Sequence, residues 1–109
     1  MPQISHDTAV QTVITTFETS PGNCEDLLEL LEESLSEFIR HQKGFISSTL
    51  HANDARTRIA NYSQWERRED FLAMLRSPEM RRRNREIAAL CRSFEPVMYD
   101  VVKSFDRTG

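Results

Sequence analysis

Gly44–Trp65, GFISSTLHANDARTRIANYSQW, reads as a β-hairpin. Two strand-like runs flank Asn53-Asp54-Ala55-Arg56, whose opening residues tolerate turn geometry well. A strand sends alternate side chains to opposite faces. Counted from Phe45, one face of the first strand carries Phe45, Ser47, Thr49 and His51; the matching face of the second carries Ile59, Asn61, Ser63 and Trp65. A sheet face that only packs under helices is usually built from Val, Ile and Leu. A histidine, an asparagine and a tryptophan among apolar neighbours predict instead the wall of a cavity. By the same parity Ile46, Ser48, Leu50, Ala60, Tyr62 and Gln64 face the other way, and that face is too apolar to stay bare. A second copy of the chain is expected to cover it, with Tyr62 in the contact.

Upstream of the hairpin, Thr8–Phe17 is rich in β-branched residues and predicts a strand. Ser20-Pro21-Gly22-Asn23 stops it, and Asn23 is the expected N-cap of a helix from Cys24 to His41. Leu27, Leu28, Leu30, Leu31, Leu35, Phe38 and Ile39 make the apolar stripe of that helix. Gly44 ends it in the left-handed conformation. Downstream, Glu66–Leu75 is helical, with Phe71 and Met74 turned inward. Ser77-Pro78 marks a break and a second helix to about Arg92. Val97–Phe105 reads as the last strand, with Tyr99 on it; residues 1–7 and 106–109 are expected to be loose tails of one domain spanning 1–109. Glu25–Leu31 (EDLLELL) and Glu69–Leu75 (EDFLAML) echo each other, each after a strand. The order is therefore a split βαβ. It implies an α+β, ferredoxin-like domain, a four-stranded antiparallel sheet with helices on one face.

With 109 residues the chain is long enough for a core without disulfides or a structural metal. A net charge of −3 and a pI near 5.6 give no reason to expect a nucleic-acid partner. The run Arg81-Arg82-Arg83-Asn84-Arg85 sits among Glu66, Glu69, Asp70, Glu79 and Glu86 and reads as a solvated helix face with one arginine turned inward. No apolar run reaches the ~20 residues of a membrane helix. The N-terminus lacks the pattern of a signal peptide. Cys24 and Cys91 fit no redox or ligand spacing, so reduced thiols and a cytoplasmic location are expected. His6, His41 and His51 lie on different elements, which leaves no metal set, and three glycines leave no dinucleotide-binding loop.

Pro21-Gly22, Gly44-Phe45, SSTLHAND and ANYSQWE together resemble the antibiotic biosynthesis monooxygenase family of dimeric α/β barrels. The likeness spans nearly the whole chain and is greatest toward cofactor-free oxygenases that turn anthrones into anthraquinones. The resemblance implies a homodimer, a small aromatic substrate, dioxygen and no cofactor. It implies that Asn61 and Trp65 hold the substrate oxygens, with His51 nearby as a hydrogen-bonding group and proton relay. Thr15, Phe45, Thr49, Phe71 and Met74 are the expected substrate contacts, and Met80 fills space in the roof. Two positions depart from the family pattern: Phe71 stands where some members carry tyrosine, and Thr15 where others carry asparagine. Haem-degrading relatives need a histidine on the second helix, and none occurs between Trp65 and Arg92. A non-catalytic dimeric protein, either one that binds a small aromatic ligand without turnover or a stress-response protein, is the second reading.

Overall fold

A computed structural model describes residues 10–108. Its elements are β1 (Gln11–Glu18), α1 (Pro21–Glu37), β2 (Phe45–Ala52), β3 (Arg58–Trp65), α2 (Arg68–Arg76), α3 (Pro78–Ala88) and β4 (Ser93–Tyr99). A single 3₁₀ turn, Ile39–His41, follows α1. The strands lie in the order β2-β3-β1-β4, and every adjacent pair is antiparallel. This is the expected α+β, ferredoxin-like arrangement. One core joins Val13 and Phe17 of β1, Ile59 and Trp65 of β3, Leu27 and Leu31 of α1, Phe71 and Met74 of α2, and Met80 and Ile87 of α3. Apolar burial of that kind is the main force holding helices to a sheet. Among the described residues no helix is long and apolar enough to cross a membrane.

Several boundaries move, each for a local reason. α1 starts at Pro21, with extended Ser20 (φ −119°, ψ 157°) in the cap position in place of Asn23. Proline's fixed φ suits the first helical residue, where its missing N–H costs nothing. Ser77-Pro78 uses the same device, as expected: the Ser77 hydroxyl accepts from the Met80 N–H at 3.2 Å and donates to the Met74 carbonyl at 2.7 Å. It closes α2 and opens α3. α3 stops at Ala88, short of Arg92, and α2 begins at Arg68 rather than Glu66. β4 occupies Ser93–Tyr99 instead of Val97–Phe105, with Pro96 inside it opposite Thr15. β4 pairs only with β1, so it is an edge strand, where a residue without an N–H need break no ladder bond. Residues 106–108 are exposed and outside any helix or strand. The expectations for residues 1–7, for Thr8 and Ala9 at the start of the first strand, and for Gly109 lie outside the described residues.

The most consequential irregularity is in the hairpin. Phe45 pairs with Trp65, but Ser47 pairs with Gln64, so the register shifts around Ile46. One extra residue in a strand inverts the facing of everything beyond it. Ser48, Leu50 and Ala52 thereby join Ser63, Asn61 and Ile59 on the helix side, while Ser47, Thr49 and His51 pair with Gln64, Tyr62 and Ala60 on the outer side.

Candidate active site

Between sheet and helices lies a cavity of about 60 Å³, room for a few waters. Thr15 and Phe17 of β1, Asn61, Ser63 and Trp65 of β3, and Phe45 and Ser48 of β2 form its floor. Leu31, Ser34 and Leu35 of α1 meet it from above, with Phe71 and Met74 of α2 and Met80, Asn84 and Ile87 of α3. A larger outer groove of about 790 Å³ runs between α1 and β2. The two hollows share Leu35, Phe45 and Ser48, which form their common wall.

Trp65 is 1% exposed and stands edge-on to two rings, Phe45 at 5.4 Å and 89° and Phe71 at 5.8 Å and 67°. Edge-to-face packing is the favoured geometry for such pairs and fixes the indole. Its Nε1 is buried and has no partner among the described residues. Leaving a buried N–H unpaired costs about 1–3 kcal/mol, which a ligand oxygen would recover. Four residues back along β3, Asn61 takes a hydrogen bond on Oδ1 from the Ser48 hydroxyl. Nothing described accepts from its Nδ2. Ser63 donates to the Val13 carbonyl at 3.1 Å.

The roof is tied down outside the cavity. Arg83, nearly buried, gives Nε to Glu79 at 2.8 Å and Nη1 to Ser34 Oγ at 3.4 Å, and its guanidinium lies 5.7 Å from the Phe38 ring centre. This clasp joins α3 to the end of α1. The Arg82 and Arg83 guanidiniums hold the Glu79 carboxyl below the usual carboxylate range. A carboxyl shifted down on folding stabilises above its ordinary pKa and stops doing so as pH falls through the folded one, so the clasp weakens in acid. Arg83 is thus the arginine that turns inward, but it stops at the cavity rim. Arg81, Arg82 and Arg85 are exposed. Among the described residues, no acidic, basic, histidine, cysteine or tyrosine side chain lines the cavity. Nor do the described residues contain a cluster of His, Cys, Asp or Glu fit to hold a metal ion.

The sequence profile for antibiotic biosynthesis monooxygenase matches residues 10–86. The chain belongs to this family. It is 29% identical over 109 residues to the tetracenomycin-F1 monooxygenase of Streptomyces glaucescens, a match covering 100% of this chain and 96% of that protein. The monooxygenase from ActVA-Orf6 of Streptomyces coelicolor, solved in complex with nanaomycin D, superposes with a TM-score of 0.81 at 24% identity, covering 94% of this chain and 96% of that one. SnoaB, a cofactor-independent oxygenase from Streptomyces nogalater, gives 0.77 at 16% identity over 88% and 96%. Membership places the chain among oxidoreductases.

For a member of this family, six of the eight expected site residues stand together. Asn61, Trp65, Thr15, Phe45, Phe71 and Met74 all line the cavity. His51 and Thr49 do not. The bulge turns both to the outer sheet face, where both are exposed, and Thr49 borders the outer groove instead. His51 is therefore not part of this cavity's lining, contrary to the expectation of a proton relay there. Three polar lining residues were missed, Ser34, Ser48 and Asn84. Ser48 enters because of the same bulge. Asn84 was hidden in the arginine run, although Met80, Asn84 and Ile87, spaced by four and three, already mark one face of α3.

Proposed function

We propose that this family member is a cofactor-free monooxygenase that converts an anthrone-like or phenolic polycyclic substrate to a quinone with dioxygen. The observation that carries the reading is a pair of hydrogen-bond donors on one strand, Asn61 Nδ2 and Trp65 Nε1, at the floor of a largely apolar cavity. The names borne by its relatives, a tetracenomycin-F1 monooxygenase and a cofactor-independent oxygenase, agree with it.

The chemistry balances on the substrate itself. Loss of a C–H proton leaves an enolate delocalised over the rings. The enolate gives one electron to dioxygen, and the substrate radical and superoxide combine to form a C–O bond. The peroxide takes up a proton. Its O–O bond then breaks as the remaining C–H proton leaves, so one oxygen stays as the new carbonyl and the other departs in water. The cavity is smaller than a tricyclic substrate, so side chains of the wall it shares with the outer groove, Leu35 and Phe45, must move aside to admit the rings. The chain then orients them, excludes bulk water and stabilises the enolate oxygen. Asn61 Nδ2 donates to that oxygen without carrying a charge, and Trp65 supplies a second N–H and a flat wall. With no titratable group among the described lining residues, the first proton goes to water.

Mixing metal-stripped protein with an anthrone under air is expected to consume dioxygen and form quinone in equal amounts, well above the spontaneous rate. Across substituted anthrones the rising limb of the pH–rate profile is expected to follow each substrate's own acidity. Turnover no faster than background would sink the proposal. A limb pinned at one pH for all substrates would show a protein base instead.

We further propose a homodimer closed through the outer sheet face. Val97 and Tyr99 of β4 are 38% and 47% exposed there, beside Ile14 and Tyr62, and Val102 and Phe105 beyond the strand are 91% and 81% exposed. Light scattering is expected to give twice the chain mass of 12.7 kDa. Val97→Asp combined with Tyr99→Asp is expected to return it to a single mass. A wild-type monomer at micromolar concentration would contradict the assignment.

A further inference from the structure

We infer that Ser48 is a positioning residue for the reaction proposed above: its hydroxyl holds the Asn61 side chain so that Oδ1 faces β2 and Nδ2 faces the ligand. The inference rests on that reading of Asn61 and adds what makes it work. An amide group has nearly the same shape whichever way it is turned, but its two ends have opposite effects on an anion. Nδ2 toward an enolate oxygen stabilises it, and Oδ1 toward the same oxygen repels it. Something must choose between them.

Ser48 biases the choice: its hydroxyl can donate to Oδ1 or accept from Nδ2, and here it donates, which leaves Nδ2 free for the ligand. Ser48 sits opposite Ser63, two residues along β3 from Asn61, on the cavity side of the hairpin. Side chains so related across a strand pair lie within reach of each other. Its Oγ donates to Asn61 Oδ1, the one side-chain bond that Asn61 makes among the described residues. The arrangement depends on the register shift between Phe45 and Ser47. In a regular hairpin Ser48 would face outward and Asn61 would be left to either orientation. The bond also responds to the chemistry. When Nδ2 donates to a developing anion, Oδ1 becomes a better acceptor and the Ser48 bond tightens with it.

Ser48→Ala and Ser48→Val remove the hydroxyl, and Ser48→Thr keeps it on a residue that strands favour. Ala and Val are expected to lower kcat about ten-fold with little change in KM, the loss expected for one neutral hydrogen bond, and Thr to restore it. A second readout needs binding alone. The phenol of 1,8-dihydroxyanthraquinone, titrated by its colour while bound, is expected to ionise at lower pH in wild type and Ser48→Thr than in Ser48→Ala or Ser48→Val. In an Asn61→Ala background, Ser and Ala at position 48 are expected to be indistinguishable in both assays. Wild-type values of kcat and bound-dye ionisation in Ser48→Ala and Ser48→Val would overturn the inference, as would a full Ser48→Ala effect that persists without Asn61. A wild-type protein that neither turns over an anthrone nor binds the dye would overturn the functional reading itself, and this inference with it.

Discussion

Asn61→Ala is expected to cut turnover by about 100- to 1,000-fold, the range seen when one preorganised donor to a developing oxyanion is removed. The loss should fall on kcat more than on KM, because the donor meets more negative charge in the enolate than in the neutral substrate. The fold should survive. Asn61 is only half-buried, and its side chain is bonded only to Ser48 among the described residues. Asparagine is also a poor strand residue, so alanine there gives up little. Asn61→Asp sharpens the test. It keeps the size and the acceptor for Ser48 but replaces the donor with a negative charge facing the enolate, so its activity should fall at least as far. Steady-state oxygen uptake, with a thermal melt beside it, reads both. A folded Asn61→Ala protein with full turnover would remove Asn61 from the chemistry.

The sequence made the site legible where the signal was local and lost it where one residue was out of step. The left-handed Gly44, Ser77-Pro78 and the helix stripes each act within a few positions and stand where the sequence put them, although α1 itself ends at Glu37, well before Gly44 and not at it. The strand alternation is different, since it is a count that accumulates along the chain. It was right for β3, which is regular, and so Asn61 and Trp65 share the cavity. It failed in β2 beyond Ile46, where nothing in FISST announces an extra residue. That single slip exchanged Ser48 for Thr49 and His51. β4 was misplaced for a related reason. Pro96 reads as a strand breaker until the sheet order shows that its strand is an edge.

Gly44→Ala is expected to destabilise the protein by about 3 kcal/mol. Two costs combine. Gly44 sits at φ +83°, a left-handed conformation that costs an L-residue about 1–2 kcal/mol. A methyl there would also lie 2.1 Å from Asp70 Oδ2, 2.5 Å from its Cγ and 2.7 Å from its Cβ, and overpacking of that kind costs about 1–3 kcal/mol. Rotating the carboxylate away relieves the first two contacts but not the third, because the Asp70 Cβ is fixed to the first turn of α2. Relief therefore requires α2 to shift from the junction where the Glu66 N–H bonds the Gly44 carbonyl at 2.7 Å. Phe71 follows Asp70 on that turn and packs on Trp65, so the same shift loosens the cavity wall. Turnover should fall along with stability. In urea unfolding, Asp70→Ala is expected to recover only part of the Gly44→Ala loss. The remainder reflects the residual Cβ contact and the backbone strain. A loss below about 1 kcal/mol, or complete recovery with Asp70→Ala, would show that the strain at Gly44 is not what holds this junction closed to larger residues.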